Sequence, residues 1–159
     1  MGEKRQKNKK EKLNSSKYFI EVDNVDAYDY EKTKRKVDDV FSKYRAYKQK
    51  KEIIMKRYNA ALSLDNLGIF SNQTSDPVCN KVEQSEKYTN YIDTIDKVYE
   101  LYQKDLSKDE KIVYKKCMLA KHTDDELMED LCMSHGSCFV RKRSCYIKVA
   151  LWFDLEVYK

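Results

Sequence analysis

Residues 123–159 read TDDELMEDLCMSHGSCFVRKRSCYIKVALWFDLEVYK, and the fold turns on how this stretch is read. Two helix patterns lie in it, a few residues apart. The Thr123 hydroxyl can accept from the amide three residues on, and the Glu126 carboxylate can reach back to the Thr123 amide, which makes a capping box. Asp124 and Asp125 add negative charge at the positive end of the helix dipole. Leu127 and Leu131 fall on one face, a turn apart. Ser134 is a second N-cap, with only Cys132 and Met133 between it and the first helix. Two helices joined so tightly predict a helix-turn-helix.

The second helix carries the charge of a recognition helix. No Asp or Glu lies between Asp130 and Asp154, and the interval holds Arg141, Lys142, Arg143 and Lys148. At about 100° per residue, Cys138, Cys145 and Val149 share a face, which is assigned to the core. Gly136, Val140, Arg143, Ser144 and Ile147 are expected to point the other way, with His135, Ser137 and Arg141 on the flanks. Such a helix can enter a major groove, its N-terminal residues near base edges and its Arg and Lys on phosphates. The DNA-facing candidates are therefore Thr123 at the first cap, the turn residues Ser134 to Ser137, then Phe139 to Ser144, and Lys148. The bland alternative is a surface helix with solvated charges. The two caps and the short turn favour a DNA-reading unit, although many such units only pack against protein.

The segment from Leu106 to Lys159 resembles the C-terminal region of the ArpU family of phage transcriptional regulators, which is itself similar to region 4 of sigma factors. The residues that carry the resemblance are Ser134, Ser137, Arg141 to Arg143, Tyr146-Ile147-Lys148 and the closing Glu156-Val157-Tyr158-Lys159. It continues upstream through Glu31-Lys32-Thr33, Val37, Tyr44 and Ser75-Asp76-Pro77, and so covers most of the chain from about Val25. The resemblance implies an all-α fold with a long N-terminal helix and a C-terminal sigma region 4-like helix-turn-helix bundle. It also implies a sequence-specific regulator that activates late genes of a phage or prophage in a Gram-positive host. Its partners would be double-stranded DNA of a late promoter or operator and the host RNA polymerase, in the bacterial cytoplasm. Two positions depart from the pattern. Cys132 stands where such turns often carry Gly, and a left-handed backbone there would cost a non-Gly residue roughly 1 kcal/mol, so a different turn geometry is expected. Gly136 removes a side chain that could have read a base.

The 159 residues allow one core or two small ones. Gly occurs 3 times and Pro once, which favours long helices with few breaks. Charged residues make up 37% and the net charge is +5, so a polyanionic partner fits but is not demanded. The five cysteines form no C-x-x-C pair and only two histidines accompany them, so neither a metal site nor a cofactor is expected. Reduced thiols in a cytoplasmic protein are the simpler expectation.

Residues 1–16 are lysine-rich and nearly free of large apolar side chains, which predicts a basic disordered tail, bounded at 1–22, without an apolar signal segment. Lys4, Arg5, Lys7, Lys9, Lys10 and Lys12 could touch phosphates, or only solubilise the chain. A long helix is expected over 23–62, with Thr33, Val37, Val40, Tyr44, Tyr47, Ile54 and Tyr58 at 3-4 spacing. That stripe suits either a homodimer seam or packing back onto the C-terminal domain. Gly68 and SNQTSDPVCN predict a linker over 63–84. The helix-turn-helix domain follows over 85–159, opened by a stripe from Tyr88 to Tyr102. Ser107 with Glu110 forms a further capping box, and Trp152, Phe153 and Leu155 are expected to close the core.

Enzyme chemistry has no motif behind it. There is no glycine-rich phosphate loop, no H-E-x-x-H and no G-x-S-x-G, and Cys117 near His122 lacks oxyanion donors, so no catalytic residue is assigned. Nothing is long and apolar enough to span a membrane. A DNA-binding regulator is therefore the first expectation. The alternative is a non-enzymatic DNA-packaging adaptor, or a protein-interaction module, built on the same helix-turn-helix.

Overall fold

The computed structural model describes residues 22–65 and 77–159, and among them the fold is all-α. Helix α1 spans Tyr30–Asp65 and α2 spans Pro77–Tyr102. Helix α3 spans Lys108–Val113 and continues through a wider π turn, Tyr114–Leu119. Helices α4, Asp124–Leu131, and α5, His135–Trp152, complete the set. A 3-10 turn, Val22–Ala27, precedes α1, and the Asp29 carboxylate then accepts from the Lys32 amide at 3.1 Å to start the helix. The expected tail, apart from Val22, and the centre of the expected linker lie outside the described residues.

The ends of that linker are helical. Helix α1 runs on to Asp65, and α2 begins at Pro77 rather than near Ser85. Proline needs no hydrogen-bonded amide in a first helical turn, so Pro77 opens the helix instead of breaking it.

The stripe on α1 is used within the chain. Val37, Phe41 and Tyr44 are buried, together with Thr33 one turn earlier. They pack with Ile92 and Ile95 of α2, Val113, Tyr114 and Met118 of α3, Leu127 of α4, and Cys138, Cys145, Tyr146 and Val149 of α5. Tyr114 stands at the centre, edge-on to Phe41 at 5.5 Å and stacked on Tyr99 at 4.4 Å. Three tyrosine hydroxyls at this core are paired. The Tyr44 hydroxyl donates to Asp96 at 3.0 Å, Tyr91 to the Val40 carbonyl at 3.2 Å, and Tyr146 to Asp38 at 2.9 Å. Val37 and Tyr44 therefore pack within their own chain against α2, α3 and α5, with Val40 partly buried beside them. Beyond Tyr47 the stripe comes to the surface, and Tyr58 is exposed.

The C-terminus turns back over the start of α1. The Asp29 amide donates to the Val157 carbonyl at 2.7 Å, the Lys159 amide to the Ala27 carbonyl at 3.1 Å, and the Val157 amide to the buried Thr33 hydroxyl at 3.0 Å. Trp152, Phe153 and Leu155 lie half-buried against the core, as their position at the chain end suggests.

Three helices end on a left-handed residue that is not glycine: Lys121 after α3, Cys132 after α4 and Asp154 after α5. The Cys132 backbone sits at φ 51°, ψ 42°, and the Met133 amide donates back to the Met128 carbonyl at 3.3 Å. The turn thus takes the geometry a glycine would favour, contrary to the expectation from the sequence. Packing of the two flanking helices outweighs the roughly 1 kcal/mol that the side chain costs there.

Candidate nucleic-acid interface

The α4–turn–α5 unit is built from local signals. Thr123 accepts from the Glu126 amide at 3.4 Å, and Glu126 accepts from the Thr123 amide at 2.7 Å. Glu126 is thereby held below the ordinary carboxylate range, chiefly by the Thr123 amide. Ser134 occupies the N-cap position of α5, but its hydroxyl donates to the Ser137 hydroxyl at 3.2 Å instead of capping an amide. The first amides of α5 are left to solvent or a ligand.

Cys138, Cys145 and Val149 face the core as the spacing predicts. Burial pushes the Cys145 thiol well above its ordinary value and that of Cys117 up to about 11, the opposite of what an activated nucleophile needs. Ile147 corrects the expected outward face: it is fully buried. Side chains from α1 and from the turn before it wrap further round α5 than a single stripe would suggest.

The candidate residues divide into two groups. His135, Gly136, Ser137, Val140 and Arg141 form one exposed surface on the first two turns of α5, with Val140 62% exposed. A Cβ at Gly136 would meet nothing within 4 Å, so the surface is open there. Phe139 borders it, 45% exposed, with its ring edge-on to Tyr30 at 5.7 Å. Thr123 is exposed but engaged in its cap.

The second group is occupied. Lys148 reaches Glu110 at 2.8 Å and the Asp105 carbonyl at 3.0 Å, and Ser144 donates to Glu110 at 2.6 Å. Lys142 pairs with Asp124 in the first turn of α4, strapping the two helices together. Arg143 donates to the Val25 carbonyl at 3.2 Å and to Asp26 at 3.3 Å. Arg141 approaches Asp109 at 3.6 Å and is half exposed, so this pair is loose. Each cation of α5 thus has a carboxylate from elsewhere in the chain. Lys148 is no free phosphate ligand, because releasing it would strand a buried carboxylate.

Glu110 is the buried anchoring side chain that the sequence did not single out beyond its cap. Burial alone would raise its carboxyl. The hydrogen bonds from Lys148, Ser144 and the Ser107 amide outweigh that and hold it below the ordinary range. Its partner lies 38 residues away in sequence, and no local spacing marks such a pair. Comparison of the chain with protein-family models, curated proteins and solved structures finds no match.

Proposed function

We propose that the protein is a sequence-specific double-stranded DNA-binding transcriptional regulator that activates late genes of a phage or prophage in its bacterial host. The exposed start of α5 carries this function: His135, Ser137 and Val140 project from a helix whose other faces are anchored in the core. A helix held in this way can be inserted N-terminus first into a major groove. Ser137 would hydrogen-bond a base or phosphate, Val140 would meet a thymine methyl, and Arg141 would exchange its loose pair with Asp109 for a phosphate. The ArpU-like residue series supports the same function, with RNA polymerase as the second partner and the cytoplasm as the place of action. Among the described residues no helix is long and apolar enough to cross a membrane.

One observation favours a protein-contact module or packaging adaptor instead. Lys142, Arg143 and Lys148 are engaged within the chain, while Phe139 and Val140 present apolar surface. Hydroxyl-radical footprinting upstream of the late operon, with and without RNA polymerase, separates the two. A regulator protects a defined operator by itself and extends the footprint with polymerase. An interaction module leaves the DNA unprotected.

A further inference from the structure

We infer that one basic face of α1 is a second nucleic-acid surface, which grips duplex backbone without regard to sequence on the side of α1 away from α5. With α5 seated in one duplex, the chain can then hold a second segment. That pairing of two segments rests on the DNA-binding function proposed above, whereas the face itself stands on charge and geometry.

The first observation is a row of cations. Lys36, Lys43, Lys50 and Arg57 recur every seven residues along α1 and are all exposed. A straight helix turns by only about 20° over each such step, so they lie on one side. At 1.5 Å per residue, neighbours stand about 10 Å apart and the row runs for about 32 Å. Among the described residues none of the four makes an ion pair, whereas every cation of α5 has a carboxylate. Between Lys36 and Arg57 the one carboxylate on this side of α1 is Asp39, which is exposed and pairs with neither Lys36 nor Lys43. The interval Val40 to Lys51 holds five cations and no Asp or Glu.

The second observation is how the row is held. Lys43 lies over the Tyr47 and Tyr91 rings at 5.7 and 5.2 Å, and Lys50 over the Tyr88 ring at 5.8 Å. The rings brace one another across the α1–α2 seam, Tyr47 to Tyr88 at 4.6 Å and Tyr47 to Tyr91 at 5.1 Å. An ammonium resting on a ring keeps its full charge and stays at the surface. Ordering it again on a phosphate then costs less side-chain entropy. On the same side α2 continues the face with Lys87, exposed and also without an ion pair among the described residues. Asp96 is turned away to Tyr44, and Glu83 is the one carboxylate of α2 near this side.

The third observation is placement. Lys34 and Asp38 of α1 meet Tyr146 of α5, the first over its ring and the second at its hydroxyl. At 100° per residue both lie about 160° round α1 from Lys36. The row and α5 are therefore on opposite sides of α1, and a straight duplex docked on α5 does not reach the row. An acidic protein fits the face less well than a duplex. Protein interfaces centre on desolvated apolar side chains, and the apolar members of this side, Val40, Tyr47 and Tyr91, are half-buried in the seam. A duplex carries one negative charge about every 1.7 Å of its axis and needs only cations held against its backbone.

The test compares the full chain with a row variant, Lys36→Gln, Lys43→Gln, Lys50→Gln and Arg57→Gln. A control variant loses four exposed cations elsewhere, Lys97→Gln, Lys104→Gln, Lys115→Gln and Lys121→Gln. Binding of a mixed-sequence duplex is followed by fluorescence anisotropy over a KCl series. The row variant is expected to bind at least about tenfold more weakly, with the slope of log K against log salt shallower by roughly 3–4, near 0.9 per lost contact. The control keeps the native slope, as does a variant with Arg at Lys36, Lys43 and Lys50. Equal losses in the row and control variants, or none in either, overturn the face. A polyglutamate peptide bound more tightly than the duplex at equal salt overturns its assignment to nucleic acid. For the pairing of segments, beads carrying a duplex selected by the native chain from a random pool are loaded with protein and offered a second, fluorescent duplex. The native chain should capture it, while the row variant should load the beads and capture none. No capture by the native chain overturns the holding of two segments. Failure of the native chain to select any motif overturns the function proposed for α5 and the pairing with it, and the salt slopes alone then decide the face.

Discussion

Lys148→Met is the substitution whose consequences follow most fully from the structure. Glu110 is 2% exposed and receives Lys148 at 2.8 Å, Ser144 at 2.6 Å and the Ser107 amide at 2.7 Å. Methionine keeps the length of the side chain and removes the cation. Breaking a buried pair by deleting one partner costs about 3–5 kcal/mol, because the other charge is left uncompensated. Two hydrogen bonds to Glu110 survive here, so a loss of about 2–3 kcal/mol at neutral pH is expected. The pH dependence adds a sign. In the native chain the Glu110 carboxyl is held below its ordinary value. Its contribution is present above the ordinary carboxylate range and is lost as pH falls through the lowered folded value. Without Lys148, burial dominates and raises the carboxyl, so protonation relieves the variant, and its deficit should narrow between about pH 7 and pH 4.5. Urea titrations of both proteins at the two pH values measure this directly. The double variant with Glu110→Gln should recover at least half of the loss. A deficit under about 0.5 kcal/mol at neutral pH, or one that widens on acidification, would refute the assignment of this pair as the buried anchor between α3 and α5.

Cys132→Gly should stabilise the protein by up to about 1 kcal/mol by relieving the left-handed backbone, seen as a higher urea midpoint with unchanged slope; destabilisation would mean that the thiol contributes packing outweighing that strain. Phe41→Ala should cost about 3–5 kcal/mol and leave sedimentation of the folded fraction unchanged, because Phe41 packs within its own chain. A dissociating oligomer in that experiment would return the stripe on α1 to an intermolecular role.

What was legible in the sequence was the local chemistry. Thr123 with Glu126 and Ser107 with Glu110 each form the capping box that their spacing promises, and Cys138, Cys145 and Val149 share the core face. The all-α class follows from the same signals. What was not legible depends on partners distant in sequence. Whether Val37 and Tyr44 meet a second copy or their own α2 and α5 is a question of topology, on which a 3-4 stripe is silent. The same holds for the cations of α5. Their spacing shows a basic helix, but Asp26, Asp109, Glu110 and Asp124 reach them only after folding. Cys132 misled in the other direction: a weak local preference against a left-handed turn was overridden by the packing of two well-capped helices.

The proposed function places base reading on the first turns of α5. Ser137 and Val140 are exposed and make no contact with the core, so Ser137→Ala and Val140→Ala should leave the fold intact. Selection from a random DNA pool with the native chain and each variant is the direct measurement. A shared scaffold sequence with altered preference at one or two positions is predicted, each worth about 1–3 kcal/mol. Identical motifs from all three proteins, or no motif from any, would contradict it.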